Sequence, residues 1–566
     1  MPELPAGPDT LRGLALRTLF PGFTGKQAPP EWLGRLIEDG LGGVVLFGRN
    51  VDPARGDAGI AELTRHLRGH RPDVLIAIDE EGGDVTRLDV TTGSAYPGSA
   101  ALGSADDPIL TREVAASLAA RLRACGIDVN FAPVADIDVD PRNPIIGVRA
   151  FGSDPYLVAR HTAAFVTGQQ SHGVVATVKH FPGHGGTAED SHVSVPVLDA
   201  SRQLLDHREL VPFRAAIDAG VRLVMTAHIT VPALDSSQPA TLSPATITGL
   251  LRGELGYTGA VMTDGFDMHA ISGTVGHAEG AVLALLAGVD AICVGGDSTD
   301  PELVEKIADA IVAAVETGRL GFERLAEAAG RITGLSAWVR GCGRLCNAHH
   351  EEADPQEEAD PQEEADPRAN ADPREEADPR ANADPRANAD SQGDASPVPT
   401  GDGRTGRPGV SEPAEVRAAR RAVVARGDVT LRSAPLVLEL QDDPSLAAGH
   451  IPWGIGAPLA DRMPGTVVVP VYESGPPAQS VLARHPERPV VVAVRGVRRL
   501  PWQLRVVTEI RAMRPDAIIV DHELSDPAQF DEPYVLTYGA SRVTAEAAAE
   551  LLHPHAPDRA RAGRPA

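Results

Sequence analysis

Residues 174–181 read VVATVKHF: an apolar run, Val174-Val175-Ala176-Thr177-Val178, that stops at Lys179 and His180. A strand buried on both faces reads as a continuous apolar stretch rather than an alternating one. Seven other stretches share the pattern: LFPGF (19–23), GGVVLFG (42–48), VLIAID (74–79), VNFAPVADI (129–137), RLVMTAH (222–228), AVMTD (260–264) and AICVGG (291–296). Helix-like segments such as TREVAASLAARLRACG (111–126) and RELVPFRAAIDAG (208–220) lie between them. Eight βα units in about 340 residues predict a (β/α)8 barrel of the TIM type.

A barrel of this kind places its active site at the C-terminal ends of the strands. Those ends carry ionisable groups: Asp79, Asp136 and Asp138, Lys179 and His180, His228, and Asp264. A polar floor of that composition suits a hydroxyl-rich or charged ligand.

The fifth run opens into VKHFPGHGGTAEDSH (178–192), which holds three histidines, a lysine and two carboxylates. His180, His184, Asp190 and His192 are ligand types that zinc hydrolases use, but Lys179 beside His180 repels a cation. Histidines that satisfy loop backbone are a second reading, which suits His184 and His228. Asp190 and His192 suggest a third. In an extended segment side chains at i and i+2 share a side, so Asp190 can fix the tautomer of His192 and raise its basicity. Asp264, with Gly265 leaving space above it, then supplies a carboxylate nucleophile, the arrangement of a retaining glycosidase.

These residues resemble the signature of family-3 glycoside hydrolases, in the NagZ-like β-N-acetylglucosaminidase branch. KHFPGHG (179–185) followed by Asp190-Ser191-His192 carries the resemblance. GGVVLFGRN (42–50), DEEGGDVTRL (79–88), FAPVADIDVDPRNPIIGVRAFG (131–152), PATLS (239–243) and TDGFDM (263–268) extend it in the family's order. The resemblance implies Asp264 as the nucleophile and His192 as the acid/base, with Asp190 as its partner. It implies Asp79, Arg87, Arg149, Lys179 and His180 as sugar-binding residues, and no metal or other cofactor. It departs at Glu80, where glutamine is common, at Asp84, where many relatives have arginine, and at Gly265 and Phe266.

The implied activity is removal of terminal β-linked N-acetylglucosamine from small peptidoglycan or chitin fragments, as in cell-wall recycling. Phosphorolysis is the close alternative. A carboxylate base would repel an incoming phosphate by about 4 kcal/mol at ~4 Å in an effective dielectric near 20, and a neutral imidazole would not. A barrel that binds carbohydrate without cleaving it is the third possibility.

The rest of the chain bounds these readings. At 566 residues it is too long for one core. From residue 351 a hexad repeats seven times (EEADPQ, EEADPQ, EEADPR, ANADPR, EEADPR, ANADPR, ANADSQ), rich in proline and acids. Such a segment buries no core and predicts an extended spacer. The expected division is a catalytic barrel over 1–341, an acidic low-complexity linker over 342–413, and a second domain over 414–566. In the last, LVLEL, TVVVPVYE, PVVVAVRGV and AIIVDHEL read as strands, and LPWQLRVVTEIRAMRP and SRVTAEAAAELLH as helices, giving an open α/β sandwich.

A net charge of −26 argues against a nucleic-acid partner. No apolar run is long enough to span a bilayer, and four cysteines are too few for a disulfide framework. Cys342-x3-Cys346-x2-His349-His350 has the wrong spacing for the common zinc motifs. Arg12 and Arg17 interrupt the start where a signal peptide would be apolar. A cytoplasmic enzyme acting on small carbohydrates is the expectation, with phosphate as a further acceptor.

Overall fold

The computed structural model describes residues 7, 9–187, 195–295, 300–351, 412–441, 452, 454–524 and 530–553, with backbone alone at 269 and 343–351. The hexad spacer beyond Glu351, Asp190 and His192 lie outside the described residues, as do the side chains of Cys346, His349 and His350.

Each of the eight strand candidates contains one barrel strand: β1 (Leu19–Pro21), β2 (Gly43–Leu46), β3 (Leu75–Ile78), β4 (Val129–Asn130), β5 (Val175–Phe181), β6 (Leu223–Thr226), β7 (Ala260–Thr263) and β8 (Ile292–Gly295). Strands β2 to β7 pair in sequence order, and β1 pairs with β8, all in parallel. The bridges Gly22–Val45 and Met262–Ala291 close the ring. β4 is shorter than its apolar run because Pro133 has no N–H to donate to a ladder; the sheet resumes at the single bridge Val134–Lys179.

Alternation along each strand sorts the core into two. Leu75 and Ala77 of β3, Val175 of β5, Leu223 and Met225 of β6, and Ala260 and Met262 of β7 fill the barrel. Their neighbours Ile76, Ile78, Ala176, Val178, Val224 and Val261 pack outward against the helices. Ile332, Leu335 and Val339, on one face of the last barrel helix, join the inner cluster and close the lower end. That helix runs from Phe322 to Glu351, ten residues past the boundary expected at 341, and no proline interrupts it before Pro355. Helices Pro108–Ala124, Pro155–Gln170 and Pro301–Glu316 all begin at an Asp-Pro pair. The aspartate side chain accepts first-turn N–H groups, and proline supplies a helical φ where no N–H is needed.

The second domain is a six-stranded sheet in the order β11–β10–β12–β13–β14–β9. Its strands are β9 (Val424–Arg426), β10 (Leu436–Leu440), β11 (Val467–Val471), β12 (Val490–Val494), β13 (Ile518–Asp521) and β14 (Tyr534–Leu536). Only the edge strand β9 runs antiparallel. Val437, Val491, Ala493, Ile518 and Val520 pack on one face, and Leu436, Leu438, Val490, Val492 and Ile519 on the other. Both faces are covered, so the strands read as continuous Val/Ile runs. β9 and β14, three residues each, escape the sequence reading because their apolar runs are too short. The residues up to Leu345 and those from Glu412 onward form one compact unit. Among the described residues no helix is long and apolar enough to cross a membrane.

Candidate active site

Strand parity places the first three polar side chains. Two residues beyond Ala77, Val175-Thr177 and Met262 come Asp79, Lys179 and Asp264, so each continues the inward row of β3, β5 or β7. Alternate strands of a barrel contribute to the same layer, and here the uppermost layer is charged.

Lys179 is buried and its ammonium donates to Asp79 Oδ1 at 2.7 Å. It also lies 2.7 Å from Glu81 Oε1. Burial opposes its charge, but Asp79 and Glu81 outweigh it and hold its pKa above the ordinary lysine value. The Arg149 fork engages Glu81 through Nε at 2.9 Å and Nη2 at 2.7 Å, with Nη1 on the Ile145 carbonyl at 3.2 Å. Arg87 Nη2 is 3.8 Å from Asp79 Oδ2. Glu81 therefore joins Lys179 to Arg149, and despite its burial the two cations hold it far below the usual carboxylate range.

A second acid organises the histidines. Asp136, fully buried, accepts from His180 Nδ1 at 2.6 Å and from the His184 backbone N–H at 2.7 Å. Burial alone would raise its pKa; His180 and His184 hold it lowered. The His184 ring lies 2.8 Å from the Thr187 hydroxyl, and its carbonyl accepts from Asn143. Burial lowers its pKa to about 4, so it is neutral at physiological pH. His184 holds the loop, as the structural reading expected. The glycines of this loop permit a close approach: a Cβ on Gly185 would stand 1.9 Å from the Ile137 carbonyl oxygen.

Asp264 is half-buried at the barrel mouth, not sealed beneath it. One oxygen accepts the Gly265 N–H at 2.8 Å. Burial opposes its charge, but His180, His228, that N–H and Lys179 bring its pKa down to about 2. His228 holds the turn behind it, with Nε2 3.1 Å from the Gly265 carbonyl and Nδ1 2.8 Å from the Thr241 hydroxyl. Burial lowers the His228 pKa, which favours a neutral ring donating from Nε2 to that carbonyl. His228 is thus a support for the turn that carries Asp264.

The structure gathers Asp79, Arg87, Arg149, Lys179, His180 and Asp264 at one end of the barrel. Asp190 and His192 lie outside the described residues. Among the described residues no group of three or more His, Cys, Asp or Glu side chains is placed to hold a metal ion. Sequence reasoning missed Glu81, although its position two residues after Asp79 is a usable signal, and it left Asp136 as a polar strand end without a partner. Together the groups offer an ionised carboxylate facing a mouth ringed by hydrogen-bonding charges. Such a set can bind a polyhydroxylated ring and attack its electrophilic carbon.

The chain is similar in sequence and fold to known proteins. Residues 25–335 match the glycosyl hydrolase family 3 N-terminal domain. Beta-hexosaminidase A of Pseudoalteromonas piscicida is 34% identical over 331 residues, 54% of this chain and 55% of that protein, so the match spans about half of that relative. A beta-hexosaminidase of Xylella fastidiosa (strain 9a5c) is 39% identical over 301 residues, 52% of this chain and 86% of its own length. Among solved structures, a family 3 beta-N-acetylglucosaminidase from Paenibacillus sp. str. FPU-7 is similar over 96% of both chains, with a TM-score of 0.77 and 32% identity.

Proposed function

The chain belongs to glycosyl hydrolase family 3, and from that premise we propose that it is a retaining, exo-acting β-N-acetylglucosaminidase. The observation that carries the reading is Asp264: an accessible carboxylate, ionised at any working pH, in the same layer as Asp79 and Lys179. Asp79, Lys179, His180 and Arg87 hold the hydroxyls of a terminal N-acetylglucosamine, with Arg149 steadying Glu81 behind them.

In the first step Asp264 attacks the anomeric carbon as the glycosidic C–O bond breaks. His192, protonated and oriented by Asp190, gives its proton to the departing oxygen. In the second step the neutral imidazole takes a proton from water, water attacks the same carbon, and the Asp264 ester opens with net retention. Fragments carrying GlcNAc linked to MurNAc, or chitobiose, are the natural substrates this reading favours.

The test uses an aryl β-N-acetylglucosaminide followed by NMR. The β-anomer should appear first. Asp264→Ala should lose on the order of a thousandfold or more in turnover, and added azide should restore activity by forming the α-glycosyl azide. An α-anomer as first product, or near-parental turnover in Asp264→Ala, sinks the reading. The same assay in phosphate buffer tests the acceptor: GlcNAc 1-phosphate above the phosphate-free control would move the assignment to phosphorolysis.

A further inference from the structure

Open parallel sheets bind ligands where the strand order reverses, outside the carboxyl ends of the strands. In the second domain the chain moves outward from β10 to β11 and returns to β12 on the other side of β10, so the reversal falls between β10 and β12. Gln503, fully buried, occupies that place. Its amide donates to the carbonyls of Leu440 and Arg495, both at 3.2 Å, and accepts the Arg495 N–H at 3.1 Å. The Arg495 side chain reaches across to the barrel. Its Nη2 meets Asp84 of the barrel at 2.6 Å, while the other Asp84 oxygen accepts the Ala540 N–H at 2.8 Å. Three residues on, Arg498 Nη1 meets Asp138 of the barrel at 2.9 Å. All four side chains are mostly buried.

The two gripped acids occupy matching positions. Asp84 lies three residues after Glu81, the partner of Lys179 and Arg149. Asp138 lies two residues after Asp136, the partner of His180. The connection through the first is short and stiff, because Glu81 N–H bonds the Val85 carbonyl and Val85 N–H returns to Gly82. Gly83 at the tip has φ +61°, and a Cβ there would stand 2.6 Å from Gly98 Cα, so the turn cannot shift inward. The second domain thus grips, through Arg495 and Arg498, the two strand-end loops whose acids hold Lys179, Arg149 and His180.

Resting on the function proposed above, we propose that Arg495 and Arg498 are positioning residues for sugar binding. Through Asp84 and Asp138 they fix Glu81 and Asp136, and with them Lys179, Asp79 and His180. Asp264 takes its place from the end of β7 and from the Gly265 turn behind it, which His228 supports and neither arginine touches, so the larger effect falls on KM rather than kcat.

Truncating one arginine leaves a buried aspartate uncompensated and risks misfolding, whereas neutralising both partners of such a pair is often tolerated. The test therefore compares Asp84→Asn/Arg495→Leu and Asp138→Asn/Arg498→Leu in the full chain, with Arg495→Lys as the conservative variant. Each neutralised pair should raise KM for the aryl β-N-acetylglucosaminide about tenfold with kcat within threefold of the parent, and Arg495→Lys should recover most of the loss. A KM rise below fivefold in both pairs, whatever their melting temperatures, overturns the proposal. If the parent itself fails to cleave, the glycosidase reading falls. The positioning role is then judged by the same thresholds on GlcNAc dissociation constants from calorimetry.

Discussion

Adjacent glutamates at the end of β3 ionise in opposite senses, and their partners explain why. Glu81 has two cations and stays charged. Glu80 has none. Its Oε2 accepts the N–H groups of Arg87 and Leu88 at 2.8 and 3.0 Å, and Oε1 finds no partner among the described residues. Burial raises its pKa from 4.5 to about 7, more than a hydrogen bond from the Thr86 side chain and those two N–H groups lower it. A carboxyl with a raised folded pKa contributes most stability when protonated in both states, below about pH 4.5, and that contribution is lost as pH rises through 7. Glutamine keeps the acceptor oxygen without the charge. Glu80→Gln should therefore match the parent's pH dependence below pH 4.5 and gain on it by on the order of 3 kcal/mol by pH 8. Urea unfolding of both proteins at pH 4.5, 6 and 8 measures the gap; a gap that stays constant defeats the argument.

Elements, more than single residues, made the site legible. The apolar runs VLIAID, VVATVKHF and AVMTD mark the strands whose ends carry Asp79, Lys179 and Asp264, and the alternation of side chains along a strand then turns all three inward. Glu81 and Asp136 were harder to read because each lies further beyond the last paired residue of its run, Ile78 and Val134, than Asp79 and Asp264 do beyond theirs, where parity gives way to turn geometry. The same counting exposes a weakness in β5. Thr177 faces inward between Val175 and Lys179, fully buried, and its hydroxyl has no partner among the described residues. A buried, unpaired hydroxyl costs ~1 kcal/mol or more, and an isosteric methyl does not. Thr177→Val should raise the barrel's stability by about that amount with KM and kcat unchanged. A destabilised variant would mean that the hydroxyl has an acceptor in solution.

The whole molecule joins two domains by charge pairs that have no sequence signature. Arg495 and Asp84 are separated by 411 positions, and no periodicity connects them; Asp84 stood out only as a departure from its relatives. Histidines shape the molecule's response to acid more evenly. His184 in the barrel and His522 in the second domain are both lowered by burial to about 4, and burial also lowers His161 and His228. A histidine with a depressed folded pKa stabilises the fold above pH 6.5, where both states are neutral, and loses that contribution as pH falls towards 4 and the unfolded chain takes up protons. For His184 and His522 the loss is on the order of 3 kcal/mol each, and His161 and His228 add to it, while the carboxyls that burial raises, Glu80 with Glu209, Glu439 and Asp128, offset part of the total as pH falls. Stability should therefore fall between pH 7 and 4.5, with both domains affected because each contains one of these rings. Melting temperatures across that range test the sum, and His522→Asn should reduce the slope by roughly one histidine's share. A flat or rising profile would show that these rings accept protons without unfolding the domains around them.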